Sequence, residues 1–382
     1  MRNVILKLLG VQGKSVKFID AENEICNGAR TFKHVMLHHG IMHCSTKRTK
    51  KSMLTVQQVH RLLCGYGKPA FKVAQKIILE ENIENRNVRE ALDYFIREVW
   101  LDMEYPGLMA LACKAVKGKP DKTLRLGASL VLLRGAMDVH DDIIDEQETK
   151  AGKPTLYGKY GQDMAILAGD VLFYEGLAHL NEAILHFRIE ERQEIADMVK
   201  EALFEVGTGI ANEVDYRGNF DLLPEDLMRI ITQKAACAEM HARLGAIVGG
   251  GDKAEEDALG IFGRLLGVLT VMRDEFIDIY EPEELQNRKE KECLPLPLLF
   301  AFKDIDVKRE ILTILEKRKL VGSDSRKIVN IVLRSEGMKE LKKQMDDLKK
   351  TALSSLKVFE EKKTAQSLRR LLDPLYEDIK IG

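Results

Sequence analysis

The stretch "LRLGASLVLLRGAMDVHDDIIDE", residues 124–146, decides the fold because it joins a long apolar segment to a dense group of acids. Its apolar residues recur at three- and four-residue spacing on nearly every face, which is typical of a helix in the middle of a bundle. Asp138, Asp141, Asp142 and Asp145 follow at helical spacing and share one face. A solvated acidic face is the ordinary explanation of such a run, but the apolar flank favours a buried or cleft-lining face. We therefore expect cations to neutralise these carboxylates.

The same helical period dominates the chain beyond about residue 55, and strand-type alternation is rare. Most of the nine prolines lie between the helical segments. This pattern predicts one large all-α bundle of about ten helices over residues 56–382, with ligand sites between facing helices. Residues 1–55 differ, because "FKHVMLHHGIMHCSTKRTKKS" combines four histidines, a cysteine and a basic run. We interpret this segment as an N-terminal extension of unknown role.

Composition excludes several classes of protein. The chain has 382 residues and a net charge of −1, with 6% aromatic residues and one tryptophan, which argues against nucleic-acid binding. No apolar run reaches the roughly 18–20 residues that a membrane span needs, so no span is expected. Six scattered cysteines without a CxxC pair indicate reduced thiols in a cytoplasmic enzyme.

A second acidic cluster follows another apolar helix in "GVLTVMRDEFID", where Asp274, Glu275 and Asp278 share a face. Two such helices can face each other across a cavity. Ligands that are all oxygen favour Mg²⁺, and substrate phosphate usually completes its coordination. The predicted metal ligands are Asp141, Asp142, Asp145, Asp274, Glu275 and Asp278.

A bound diphosphate also requires fixed cations, and four lysines are candidates. Lys150 and Lys153 lie in the polar loop after the first cluster, where surface lysines are the ordinary explanation. Lys291 precedes a helix that begins at a proline. Lys234 is the most informative, because it interrupts an apolar helix and lysine is rarely buried without a partner.

Several motifs occur in an order that resembles the polyprenyl synthetase family, the trans-isoprenyl diphosphate synthases. The match runs from about residue 60 to the C-terminus, and its motifs are "HDDIIDE", "GKPTLYGKYGQDMAILAGDVLF", "GVLTVMRDEFID" and "KECLPLPLLFA". The resemblance implies an isoprenoid-synthase-type helical bundle with a central cavity. It implies two or three Mg²⁺ ions that bridge the aspartates to an allylic prenyl diphosphate, and loss of the diphosphate to give an allylic carbocation. The family usually dimerises, so a homodimer or a heteromer with a related subunit is expected.

The resemblance also implies roles for individual residues. Asn212 and Asp215 stand in place of a family Gln-x-x-Asp motif, and Lys150 stands in place of a family arginine. A small residue at Ala136, next to Met137, leaves room for a prenyl tail of about C15–C25, although simple helix packing explains one alanine equally well. The implied catalytic residues are Asp141, Asp142, Asp145, Lys234 and Asp274, and the implied substrate-binding residues are Lys150, Lys153, Asn212, Asp215, Lys234, Lys291, Ala136 and Met137.

The chain departs from the family where the family's "GGKRLRP" segment supplies cations for isopentenyl diphosphate. Asp102, Met103 and Tyr105 stand in these places, and Ala151 replaces a second arginine. An acid at Asp102 is expected to repel a diphosphate. We therefore favour an enzyme that ionises an allylic diphosphate but uses an acceptor other than isopentenyl diphosphate, or captures the cation internally as a terpene synthase does.

Two alternatives stay open. The chain could be an ordinary chain-elongating polyprenyl diphosphate synthase in which other cations replace those that are lost. It could also be a non-elongating subunit of a hetero-oligomeric prenyl diphosphate synthase. A purely structural bundle would gain nothing from burying these charged groups.

Overall fold

The computed structural model describes residues 55–150, 152–359 and 365–375, so the predicted N-terminal extension and Ala151 lie outside the described residues. These residues form fifteen α-helices and one two-stranded sheet, which confirms the all-α prediction. The chain divides into two compact units, one up to Lys114 and from Gly118 to Arg192, the other comprising Ala115–Lys117 and the residues from Gln193 onward. Each unit is described by itself.

The described residues of the first unit form five helices. Their bounds are α1 Val56–Glu80, α2 Arg86–Tyr94, α3 Glu104–Ala115, α4 Leu124–Ile144 and α5 Leu156–Ile184. A π-helical turn, Phe95–Val99, continues α2, and a 3₁₀ turn, Pro120–Thr123, precedes α4.

Helix α4 is the centre of the first unit, as its apolar sequence predicts. It packs against α1 and α5, and twelve of its residues are buried. Trp100 packs against Gly135 so closely that a Cβ atom there would lie 2.8 Å from the indole ring. Ala136 is fully buried in the same apolar cluster, which also holds Phe71 and Phe95. This packing fixes the axis of α4 and hence the direction of its acidic last turn.

A short hairpin follows α4. Strands β1, Thr149–Lys150, and β2, Lys153–Pro154, pair antiparallel, with Lys150 opposite Lys153. Gly152 in the turn has φ +73°, a left-handed conformation that glycine adopts without steric cost. The hydroxyl of Thr155 then accepts a hydrogen bond from the Gly158 amide at 2.9 Å and caps α5. The "GKPT" sequence is therefore a turn and a helix cap.

The second unit contains most of α6, Ile189–Asp215, and all later helices. Their bounds are α7 Pro224–Lys234, α8 Ala236–Gly249, α9 Lys253–Asp278, α10 Pro282–Lys291, α11 Leu296–Ala301, α12 Ile305–Leu315, α13 Gly322–Arg334, α14 Glu336–Ser355 and α15 Gln366–Arg370. Helix α9 packs against α8 and α14. The Asp252 side chain caps α9 together with Glu255 in a capping box.

The helices are more numerous than the ten or so expected from periodicity. One reason is Ala235, which interrupts the predicted continuous helix and separates α7 from α8. Prolines at the starts of α7, α10 and α11 make further breaks, because the proline ring suits the first turn of a helix. Among the described residues, no helix combines the length and the apolar character required to cross a bilayer.

Candidate active site

The first acidic cluster lies on the last turn of α4 and at its C-cap, Asp145. Asp142 is buried, with 2% of its surface exposed, whereas Asp141 and Asp145 are half-buried. Burial of Asp142 agrees with the expectation that this acidic face does not simply point into solvent. A carboxylate this deep requires a compensating cation.

That cation is Lys150 of the hairpin. Its Nζ atom donates a hydrogen bond to Oδ1 of Asp142 at 2.6 Å. The Lys150 and Asp142 side chains are only 6% and 3% exposed. The sequence prediction gave Lys150 to the substrate diphosphate, but in this arrangement it neutralises a predicted metal ligand. Lys153 is held apart, because its Nζ donates to the Glu98 carbonyl at 2.6 Å and contacts the Glu98 carboxylate at 3.2 Å.

Asp102 is buried and paired, so the expectation that it would repel a diphosphate is corrected. Nε of Arg134, on α4, donates a hydrogen bond to Oδ2 of Asp102 at 2.7 Å. Burial raises the pKa of Asp102, the Arg134 charge opposes that rise, and the Asp138 charge adds to it. The Arg134 guanidinium also lies 4.0 Å from the centre of the Tyr105 ring. Arg134 therefore places a cation beside the segment around Asp102 and Tyr105, where the family's cationic residues are absent.

The second acidic cluster lies at the end of α9 in the second unit. Both oxygens of Glu275 accept hydrogen bonds from Nη2 of Arg288, at 2.9 and 2.7 Å, and one oxygen also accepts from the Leu296 amide at 2.8 Å. Asp278 is buried 3.8 Å from the same guanidinium. Asp274, by contrast, is half-buried. Of the three predicted ligands here, Glu275 is engaged by protein groups on both oxygens.

Burial disfavours the charged forms of both Glu275 and Arg288, and so acts on their pKa values in opposite directions. It raises the pKa of Glu275 to about 7, although the Arg288 charge acts in the other direction. Burial also opposes the charge on Arg288, but the carboxylates of Glu275, Glu292 and Asp278 hold its pKa well above the ordinary value. Arg288 is therefore the central cation of this cluster, and no spacing rule in the sequence singles it out.

Lys234, at the last residue of α7, forms an ion pair with Glu213 of α6. Burial alone would raise the pKa of Glu213, but the charges of Lys234 and Arg288 outweigh it and lower that pKa. Sequence comparison with the family motif pointed to Asn212 and Asp215 and passed over Glu213 between them. Asn212 instead donates to the Gln233 side chain at 3.2 Å, and Asp215 is exposed.

Cys293 lies close enough to the Lys234–Glu213 pair and to the Arg288–Glu275 pair for the charges of both to act on it. Burial raises the pKa of its thiol to about 12, and the charges of Glu213, Arg288, Glu275 and Lys234 all act on it. The second unit therefore gathers two cations around several carboxylates. Lys291, at the end of α10, and Met137, on α4 in the first unit, are half-buried.

Both clusters suit a hard divalent cation. Each offers oxygen ligands, and each contains at least one half-buried carboxylate: Asp141 and Asp145 in the first, Asp274 in the second. Mg²⁺ bound through one or two carboxylates would retain coordination positions for phosphate oxygens. Asp142 and Glu275 would have to exchange Lys150 and Arg288 for the metal before they could act as ligands.

Comparison with known proteins relates the whole arrangement to one family. Residues 105–332, more than half of the chain, match the sequence model of the polyprenyl synthetase family. A short chain isoprenyl diphosphate synthase of Methanothermobacter thermautotrophicus is 33% identical over 187 residues, which are 47% of this chain and 54% of that protein. The chain thus spans about half the length of this curated relative.

Solved structures share the fold. Geranylgeranyl pyrophosphate synthetase from Pyrococcus horikoshii superposes with a TM-score of 0.70 at 23% identity, over 83% of this chain and 98% of that one. Polyprenyl synthase from Caulobacter crescentus, solved with calcium and isoprenyl diphosphate, gives a TM-score of 0.67 at 18% identity, over 86% of this chain and 98% of that one. These likenesses confirm the predicted isoprenoid-synthase-type helical fold. The match to the family model, over more than half of the chain, shows that the chain belongs to the polyprenyl synthetase family.

Proposed function

We propose that this protein is a Mg²⁺-dependent prenyl diphosphate synthase that extends an allylic prenyl diphosphate with isopentenyl diphosphate. Membership of the family supports a prenyltransferase, and the isoprenyl and geranylgeranyl diphosphate synthases among its relatives favour elongation. The structural observation that carries the proposal is the Arg134 guanidinium beside Asp102 and Tyr105.

This proposal replaces the acceptor predicted from sequence. The prediction of an acceptor other than isopentenyl diphosphate, or of terpene-synthase-like internal capture, depended on the cations missing around Asp102 and at Ala151, and on the negative charge of Asp102. Arg134 compensates that charge, as the alternative of a chain-elongating synthase with replacement cations anticipated. The Arg134 guanidinium pairs with Asp102 and lies over the Tyr105 ring, so the segment that aligns with the family's cationic motif does have a cation beside it.

The acids and lysines have distinct tasks in this proposal. Asp141, Asp145 and Asp274 hold the metal ions, which when bound supply Lewis-acid stabilisation of the departing diphosphate. Lys234 and Lys291 orient the allylic diphosphate by charge. Stabilising the negative charge that develops on the departing diphosphate is the largest expected contribution to rate, as in preorganised electrostatic catalysis.

Other elements of the function are also proposals. Ala136 leaves the allylic tail space for about C15–C25, by resemblance to the family. Two or three Mg²⁺ ions and a homodimer, or a heteromer with a related subunit, are expected on the same basis. A cytoplasmic location is proposed from the scattered cysteines without a CxxC pair. Residues 1–54 and Ala151 lie outside the described residues, and no role is proposed for them.

The test is a product analysis of the full chain with Mg²⁺ and farnesyl or geranylgeranyl diphosphate, with and without isopentenyl diphosphate. Elongated diphosphates that form only with isopentenyl diphosphate support the proposal. Pyrophosphate and hydrocarbon or alcohol products formed equally well without it would refute elongation and favour the acceptor predicted from sequence. Turnover that appears only after addition of a related subunit would refute the proposal and favour a non-elongating subunit of a hetero-oligomeric synthase.

A variant of Arg134 sharpens the test. Arg134→Gln is expected to raise KM for isopentenyl diphosphate at least tenfold while KM for the allylic substrate changes little, because each charged hydrogen bond contributes about 1.5–3 kcal/mol. Arg125→Gln is the matched control, since Arg125 lies on the same helix but is exposed and contacts His186. Equal effects on both KM values would place Arg134 outside the acceptor site.

A further inference from the structure

Three side chains of different chemistry, those of His60, Cys64 and Glu104, meet in the first unit. Nδ1 of His60 lies 2.7 Å from Oε1 of Glu104. The Cys64 thiol donates to the same Oε1 atom at 3.3 Å and lies 3.5 Å from both ring nitrogens of His60. The proposed prenyl transfer uses none of these groups.

The backbone explains why these side chains meet. His60 and Cys64 are four residues apart on α1 and therefore project from one face. Glu104 is the first residue of α3. Glycines hold the two helices together: a Cβ atom at Gly67 would lie 1.8 Å from the Met103 carbonyl oxygen, and one at Gly107 would lie 2.1 Å from that of Leu63. Such contact between backbones leaves little freedom in the relative position of the three side chains.

The distances suit a tetrahedral metal ion. Bond lengths of about 2.0–2.1 Å to nitrogen or oxygen and about 2.3 Å to sulfur place tetrahedral ligand atoms roughly 3.4–3.6 Å apart. The two distances that involve Cys64, 3.5 and 3.3 Å, are close to these values. The contact between His60 and Glu104, at 2.7 Å, must widen by about 0.7 Å, which small side-chain rotations can supply. One ligand atom from each residue lies within 4.8 Å of the others.

Donor chemistry and burial select the metal. The side chains of His60 and Glu104 are only 10% and 6% exposed, so these ligands are largely shielded from bulk solvent. A thiolate and an imidazole favour Zn²⁺ over Mg²⁺, which prefers oxygen ligands. A neutral imidazole, a thiolate and a carboxylate balance the two positive charges of Zn²⁺, and the thiol proton leaves to solvent when the metal binds.

We propose that His60, Cys64 and Glu104 form a Zn²⁺ site whose fourth position is taken by water. The site ties α1 to the start of α3, next to Asp102 and Tyr105, and so holds the segment on which Arg134 acts. It does not depend on the prenyl-transfer proposal, because its ligands are separate from every residue assigned there.

The experiment is Co²⁺ substitution in the full-length protein after chelation of all metal. Co²⁺ bound to a thiolate gives a charge-transfer absorption that carboxylate sites do not give, so the acidic clusters are silent. We expect one equivalent of Co²⁺ to produce this band, and one equivalent of Zn²⁺ to displace it. Six single Cys→Ser variants then identify the ligand, because Cys26 and Cys44, in the histidine-containing N-terminal segment, are the obvious competitors.

Only Cys64→Ser is expected to lose the band, and Cys113→Ser, which removes another cysteine of the first unit, should keep it. His60→Ala and Glu104→Gln should weaken Zn²⁺ binding at least tenfold, whereas Asp141→Asn should leave it unchanged. X-ray absorption of the zinc-loaded native protein gives a check that needs no variant: it should show one sulfur and three nitrogen or oxygen neighbours. A band that survives in Cys64→Ser, no band at all, or a zinc shell without sulfur would overturn the site.

Discussion

Replacing Arg288 by methionine should be among the most damaging single changes in the second unit. Arg288 is 6% exposed and binds both oxygens of Glu275, with Asp278 and Glu292 at 3.8 and 3.2 Å. Methionine fills similar space but leaves these buried carboxylates without their cation. Breaking a buried pair from one side costs about 3–5 kcal/mol of unfolding free energy. For a unit of this size, that loss lowers Tm by on the order of 10 °C.

The assay can separate the two units, because the single tryptophan of the chain, Trp100, lies in the first one. Urea unfolding followed by far-ultraviolet circular dichroism reports on all helices, whereas tryptophan fluorescence reports on the first unit. Arg229→Met is the matched control, since the pair between Arg229 and Asp226 is exposed and should contribute about 1 kcal/mol or less.

Adding Glu275→Gln to Arg288→Met should restore part of the lost stability, because it removes a buried charge that Arg288 no longer compensates. If Arg288→Met is no more destabilising than the Arg229 control, the carboxylates of this cluster are not held by Arg288 and our account of the cluster fails.

Three further outcomes follow from the two clusters and the core. Lys150→Met should lower the unfolding free energy of metal-free protein by about 3–5 kcal/mol, because it leaves buried Asp142 without its cation. Added Mg²⁺ should then stabilise this variant more than the native protein. Equal stabilisation of both would mean that the metal does not reach Asp142. Ala136→Phe should shorten the prenyl product, measured by chromatography, and destabilise the fold by about 1–3 kcal/mol through overpacking; an unchanged product would place Ala136 in the core alone. Because the pKa of Glu275 is raised from 4.5 to about 7 on folding, folding takes up a proton and stability falls as pH rises through that window; a Glu275→Gln variant should show a flatter pH dependence in thermal unfolding, and an identical slope would refute the shift.

The fold class could be predicted from periodicity because an all-round apolar helix such as α4 has few alternatives. The first acidic cluster could be predicted for a related reason, since carboxylates at helical spacing must share a face and the apolar flank indicated burial. The break at Ala235 could not, because alanine is a good helix former and no local signal marks it. That break places Lys234 at a helix end.

The partners of the charged residues were beyond the sequence. Arg288, Glu213 and Arg134 each pair with a charged residue that the sequence analysis had singled out. Each pair joins separate segments of the chain. A run of acids can show that cations are needed without showing which cations supply them. The same limit explains the wrong expectation for Asp102: its charge was visible in the sequence, but the compensating charge is 32 residues away.

The hairpin between α4 and α5 has a consequence for how this part of the chain can vary. Its strands are two residues each, and Lys150 lies directly opposite Lys153. An inserted or deleted residue in the turn shifts this register, and in a strand a shift of one residue turns each side chain to the other face. Lys150 would then point away from Asp142, and the Thr155 cap of α5 would move with it. The length of this loop is therefore constrained, as is the glycine in its turn.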